Sequence, residues 1–173
     1  MKHILLAISI LVLSACGGGG DKKESEVNVV PAEPEGFTLQ NIRFDATDYY
    51  DGEQITVTEG TSFEVQWVSP TSASYKIDLY LSSNGEVHSD NNKIVELRCG
   101  SASFSLCPNA TAEVQCEIDD NILACSIGND AVGSIGFQEK DLSSLKFIIR
   151  GCDSLGSCDV KTFDLSVQNN TGG

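Results

Sequence analysis

Apolar residues recur with a period of two along several separate stretches of this chain, and that period restricts the fold more than any other feature. Phe63-Glu64-Val65-Gln66-Trp67 alternates, and Tyr75-Lys76-Ile77-Asp78-Leu79-Tyr80-Leu81 puts Tyr75, Ile77, Leu79 and Leu81 on one face. Gln54-Ile55-Thr56-Val57-Thr58, Ile94-Val95-Glu96-Leu97, Leu145-Lys146-Phe147-Ile148-Ile149 and Phe163-Asp164-Leu165-Ser166-Val167 add more, and no long segment carries helical periodicity. Successive strand side chains point to opposite faces, so this pattern describes antiparallel sheets with a core side and a wet side. Seven to nine short strands separated by turn signals such as Asn84-Gly85 predict an all-β antiparallel sandwich; a small antiparallel β-barrel is the alternative. The roughly 130 residues of the predicted domain, 37–168, suffice for one core.

The first sixteen residues have a different character. Met1-Lys2-His3 precedes an apolar run from Ile4 to Leu13, and Ser14-Ala15-Cys16 follows. A cationic start, a short apolar run and small residues before a break meet the needs of a signal peptide, and a spanning helix requires about 20 apolar residues. An ordinary secretory signal would satisfy the same physics. Leu13-Ser14-Ala15-Cys16 also resembles the lipobox of bacterial lipoproteins. The resemblance implies a signal peptide over 1–15, cleavage before Cys16, and acylation of that cysteine, so that lipid holds the protein to a membrane of the bacterial envelope. Gly17 stands where an aspartate often marks retention in the inner membrane, so the resemblance favours the outer membrane in a diderm organism. Residues 16–36, with four glycines from Gly17 to Gly20, a charged run from Asp21 to Glu26 and prolines at 31 and 34, predict a flexible tether. Residues 169–173 predict a disordered tail. Val27-Asn28-Val29-Val30 is the one place in the tether where a strand could hide.

The formal charge of −14 becomes −15 once residues 1–15, whose one charged residue is Lys2, are removed. Such a balance argues against nucleic acid as a partner and against adsorption to anionic lipid.

Six cysteines remain besides Cys16, and in an exported chain an even set reads as disulfides. Register selects among the pairings. If Asp120-Asn121 is a two-residue turn, Asp119 faces Ile122, Cys116 falls opposite Cys125, and Val114/Ile127 and Ile118/Leu123 share its face. The parity makes Cys116/Cys125 a non-hydrogen-bonded pair, whose Cα atoms lie about 4.5 Å apart, within disulfide range. A three-residue loop Ser154-Leu155-Gly156 likewise sets Cys152 opposite Cys158 and Phe147 opposite Phe163, with glycine at the left-handed position. Elimination leaves Cys99 with Cys107. The competing reading is zinc, but zinc sites favour short Cys-x-x-Cys hooks, and every gap here is longer.

Glu59-Gly60-Thr61-Ser62-Phe63-Glu64-Val65-Gln66-Trp67, a spacer with Ser69-Pro70, and Tyr75-Lys76-Ile77-Asp78-Leu79 together resemble the second and third strands of bacterial immunoglobulin-like domains. Phe147-Ile148-Ile149-Arg150-Gly151-Cys152-Asp153-Ser154-Leu155-Gly156-Ser157, continuing to Phe163-Asp164-Leu165-Ser166-Val167, resembles their closing hairpin. The resemblance implies an immunoglobulin-like sandwich. It departs from antibody domains because Trp67 does not sit between a cysteine pair joining the sheets; each predicted disulfide staples a hairpin.

No catalytic motif stands out. There is no Gly-x-Ser-x-Gly elbow and no phosphate loop after a strand, and His88 is the one histidine after processing, read as an exposed side chain. No cofactor is expected. Asp45, Asp48, Asp51 and Glu53 form the densest acidic stretch, a weak calcium candidate whose other reading is a solvated turn. Trp67 falls in phase with the core residues Phe63 and Val65, and Tyr49 and Tyr50 are the candidates for stacking on a sugar or small ligand. The sequence therefore predicts a non-enzymatic interaction module of the envelope, anchored through Cys16 and facing a protein or surface partner; a carbohydrate- or small-ligand-binding protein, assisted by calcium, is the alternative.

Overall fold

The alternating stretches become strands, and turns with positive φ connect several of them. A computed structural model describes residues 36–68, 74–83, 88–99 and 114–169. Cys16, the tether with Val27 to Val30, the Asn84-Gly85 turn, Cys107 and residues 170–173 lie outside the described residues.

Eleven strands are described: β1 (Gln40–Phe44), β2 (Thr47–Tyr49), β3 (Gln54–Thr58), β4 (Ser62–Val68), β5 (Tyr75–Ser82), β6 (Lys93–Cys99), β7 (Val114–Asp119), β8 (Ile122–Ile127), β9 (Asp130–Gly136), β10 (Lys146–Asp153) and β11 (Cys158–Gln168). They form a six-stranded sheet in the order β2-β1-β4-β7-β8-β9 and a five-stranded sheet in the order β3-β11-β10-β5-β6. Pairing is antiparallel except between β3 and β11, which run parallel from Gln54 opposite Asp164 to Thr58 opposite Gln168. The two sheets do not close into a barrel.

The inner faces make one core. Phe44 of β1 meets Phe147 of β10 edge-on at 5.6 Å and Phe163 of β11 at 5.1 Å, while Phe63 of β4 lies 6.4 Å from Phe147. Val65, Ile77, Leu79, Val114 and Leu123 complete the contact between the sheets, and Trp67 is buried among them, as its phase requires. Along one side the sheets approach so closely that a Cβ on Gly133 of β9 would fall 1.7 Å from the carbonyl oxygen of Ile94 in β6. Only glycine permits that approach.

Two hairpins follow directly from their turns. Asp120 and Asn121 have φ of 50° and 59°, and the turn sets Cys116 opposite Cys125 with Val114 opposite Ile127. A positive φ at both central positions matches the right-handed twist of the flanking strands. The disulfide Cys116–Cys125 crosses this pair at a Cα separation of 4.1 Å. At the other hairpin, Gly156 has φ 87°, Phe147 faces Phe163, and the disulfide Cys152–Cys158 closes the pair. Each of these two disulfides lies within one sheet. Cys99 is also disulfide-bonded.

The strand count exceeds the seven to nine expected, and part of the excess is a hairpin around the acidic stretch. β1 and β2 are joined by Asp45 and Ala46, with φ of 49° and 62°.

Candidate interaction surface

The acidic stretch from Asp45 to Glu53 shows what its carboxylates do once the chain is folded. Asp45 Oδ1 accepts the amide of Glu64 at 2.8 Å, which ties the β1–β2 turn to β4. Asp48 pairs with Arg43 across the hairpin at 2.6 Å. Asp51 Oδ1 accepts the Thr162 amide at 2.7 Å, and Glu53 Oε2 accepts the Tyr50 amide at 2.7 Å. These bonds carry the chain from the six-stranded sheet at β2 over to the five-stranded sheet at β3. The four acids thus serve four different partners, and among the described residues no three His, Cys, Asp or Glu side chains come together as a metal site. The stretch serves as the crossover between the two sheets.

Tyr49 and Tyr50 are also separated. Tyr49 packs on the core edge-on to Phe44 at 5.5 Å, whereas Tyr50 is 76% exposed. Alternation along the chain sends the two rings to opposite sides, so they form no shared stacking platform. His88, expected to be exposed, is half-buried, with its ring 5.5 Å from that of Tyr80. A shallow cleft of about 580 Å³ beside β11 is lined by Gln54, Ser144, Lys146, Asp164 and Ser166, where Lys146 and Asp164 pair with each other.

The most organised polar surface lies elsewhere, on the outward face of the five-stranded sheet. Ile77, Leu79 and Leu81 of β5 face the core, so Lys76, Asp78 and Tyr80 face outward. Register sets Arg150 of β10 on one side of Asp78 and Glu96 of β6 on the other, Arg98 opposite Lys76, and Lys93 opposite Tyr80. Asp78 is only 1% exposed. Three cations surround its carboxylate: Lys76 Nζ at 3.0 Å, Arg150 Nη1 at 3.5 Å and Lys93 Nζ at 3.9 Å. Glu96 in turn takes Lys93 at 3.2 Å and Lys76 at 3.5 Å.

The physical logic is that of a short acid ringed by long bases. A buried carboxylate is costly unless paired, and the charges of Lys76, Lys93 and Arg150 compensate it. The array also moves its neighbours' protonation. The hydrogen bond from Lys93 holds Glu96 below the usual carboxylate range. Burial opposes the charge on Lys93, but the hydrogen bond to Glu96 and the charge of Asp78 outweigh it and raise its pKa. Tyr80 is raised by burial first, with the negative charge of Asp78 adding to it.

Of the eleven Lys and Arg residues in the chain, Lys76, Lys93, Arg98, Lys146 and Arg150 share this one face. Nothing local in the sequence marks it, because the five residues sit on three strands. Their positions on the polar phase of alternating strands are the one signal from which the face could have been read. No helix among the described residues is long and apolar enough to cross a membrane. Comparison with protein-family models, with curated proteins and with solved structures finds no match to this chain.

Proposed function

We propose that the chain is a bacterial envelope lipoprotein whose β domain is a non-catalytic protein-interaction module, anchored by lipid on Cys16 and docking through the outward face of its five-stranded sheet. The observation that carries this reading is the charge asymmetry. In a chain of net charge −14, this face carries Lys76, Lys93, Arg98, Lys146 and Arg150 against Asp78, Glu96 and Asp164, and three of the cations lie within 3.9 Å of the buried Asp78 carboxylate. Side chains already held in position lose less freedom on binding, so such an array suits a partner surface bearing carboxylates. The anchor rests on Leu13-Ser14-Ala15-Cys16 and on the tether that follows.

The immunoglobulin-like reading of the sandwich draws support from the closing hairpin with its Asp153-Ser154-Leu155-Gly156 turn, and from β4 and β5 lying in different sheets. One feature departs from it. In immunoglobulin domains the strand beside the second strand comes later in the chain than its outer neighbour. Here β7, β8 and β9 run outward from β4 in chain order.

In-cell crosslinking of the tagged full chain, followed by mass spectrometry, tests the reading. One dominant envelope partner, lost with Cys16→Ala and with Lys76→Glu/Arg150→Glu, is the expected result. An unchanged partner set in the charge-reversed variant refutes docking through this face.

A further inference from the structure

The two described disulfides differ in a way that bears on chemistry. Cys116 and Cys125 are buried in the core, whereas Cys152 is half-buried and Cys158 exposed on the outward face of the five-stranded sheet. Arg150 Nη2 lies 3.5 Å from Cys158 Sγ, and Lys76 stands directly opposite Cys152 on β5. Thiol–disulfide exchange requires access to a sulfur and a stabilised leaving thiolate, and a neighbouring cation supplies the second. The hairpin closed by this disulfide also holds the start of the domain. Ser157 Oγ accepts the amide of Phe37 at 3.0 Å, and Asp159 Oδ2 accepts the amide of Leu39 at 2.9 Å. Gly151, next to Cys152, leaves the space that the Phe37 ring fills: a Cβ there would lie 2.2 Å from Phe37 Cε1.

We propose that Cys152–Cys158 is a thiol-exchange site for an external dithiol, and that its opening loosens the hold on the segment leading into β1. A thiolate of the dithiol attacks Cys152 Sγ. A sulfur–sulfur bond forms there as the Cys152–Cys158 bond breaks, and the electron pair leaves on Cys158 Sγ beside the Arg150 guanidinium. The second thiol of the reductant, deprotonated, attacks the mixed disulfide and expels Cys152 as a thiolate, which takes up a proton. Two electrons pass from the dithiol to the chain, and the dithiol becomes a disulfide. Cys158 then separates from Cys152 across the hairpin, and Ser157 and Asp159, which flank Cys158, lose the cross-strand bond that fixes them beneath Phe37 and Leu39.

The test uses the full chain and dithiothreitol as the dithiol. Under native conditions near neutral pH, timed alkylation with peptide mapping should show Cys152–Cys158 opening at least tenfold faster than Cys116–Cys125, with the β-sheet circular dichroism retained. Arg150→Gln should slow that opening several-fold. Equal rates for the two disulfides, or an unchanged rate in Arg150→Gln, overturns the exchange site. Hydrogen exchange then reads the second half. In Cys152→Ser/Cys158→Ser the amides of Phe37 and Leu39 should exchange at least tenfold faster, with those of Phe147 and Phe163 unchanged; reduced and alkylated wild-type chain gives the same reading if that variant does not fold. Unchanged exchange at Phe37 and Leu39 overturns the coupling.

Discussion

Replacing Gly133 by alanine should separate the two sheets where they run closest. The new Cβ would sit 1.7 Å from the Ile94 carbonyl oxygen and 2.8 Å from its carbon, both backbone atoms that no rotamer change can move. Real Cβ atoms essentially never approach closer than 3.0 Å, so β6 and β9 must part by roughly 1.3 Å. Ile94 and Val95 are buried at that seam, and Cys125 pairs with Gly133, so the displacement opens packed core on both sides. Overpacking of this kind costs about 1–3 kcal/mol, and a backbone clash falls at the upper end. For a domain of this size that is roughly 6–12 °C in Tm. Gly136→Ala on the same strand is the matched control: its Cβ meets only the Asn121 carbonyl oxygen, at 3.9 Å. It should lie within about 0.5 kcal/mol of wild type. Urea denaturation of the three oxidised proteins measures the difference. Coincident midpoints for Gly133→Ala and wild type would refute the seam.

Ala46→Gly should stabilise the domain by about 0.5–1 kcal/mol, because Ala46 sits at φ 62° where a Cβ is strained; a lower denaturation midpoint in the variant contradicts that turn. Asp78→Asn leaves Lys76, Lys93 and Arg150 facing one another, but all three reach solvent, so the loss is about 2 kcal/mol, below that for a fully buried pair, again read by urea denaturation. Stability should also fall at both ends of the pH scale. Glu96 is held below its ordinary 4.5, so its contribution is present above that value and is lost as pH falls through the lower folded pKa; being partly exposed, it amounts to under about 1 kcal/mol. Lys93 and Tyr80 are raised above 10.5 and 10.0, so their contributions are complete below those values and are lost as pH rises through the higher folded ones. Thermal melts from pH 3 to 11 should show both losses, and Glu96→Gln should remove part of the acid one.

What was legible in the sequence was local. Asp120-Asn121 and Gly156 carry their turn geometry in residue type, and period-two alternation then fixes the register outward from each turn, as far as Val114/Ile127 and Phe147/Phe163. The β1–β2 hairpin escaped because alanine, which seldom adopts positive φ, occupies its turn, and the acids around it suggested an ion instead. β9 escaped because a bulge opposite Cys125 and Ser126 and two glycines break its alternation. The parallel pairing of β3 with β11 joins residues more than a hundred apart, and no local signal encodes it. Sequence separation hid the charged face too: Lys76, Glu96 and Arg150 become neighbours only through strand order.

The docking proposed above puts the outward face of the five-stranded sheet against a partner in the envelope. A photo-crosslinking residue placed at Arg98, on that face, and at Asp130, on the edge strand β9 of the other sheet, tests it in cells producing the full chain. One discrete adduct from position 98 and none from position 130 is the expected result. Adducts from position 130 alone, or none from either, would contradict it.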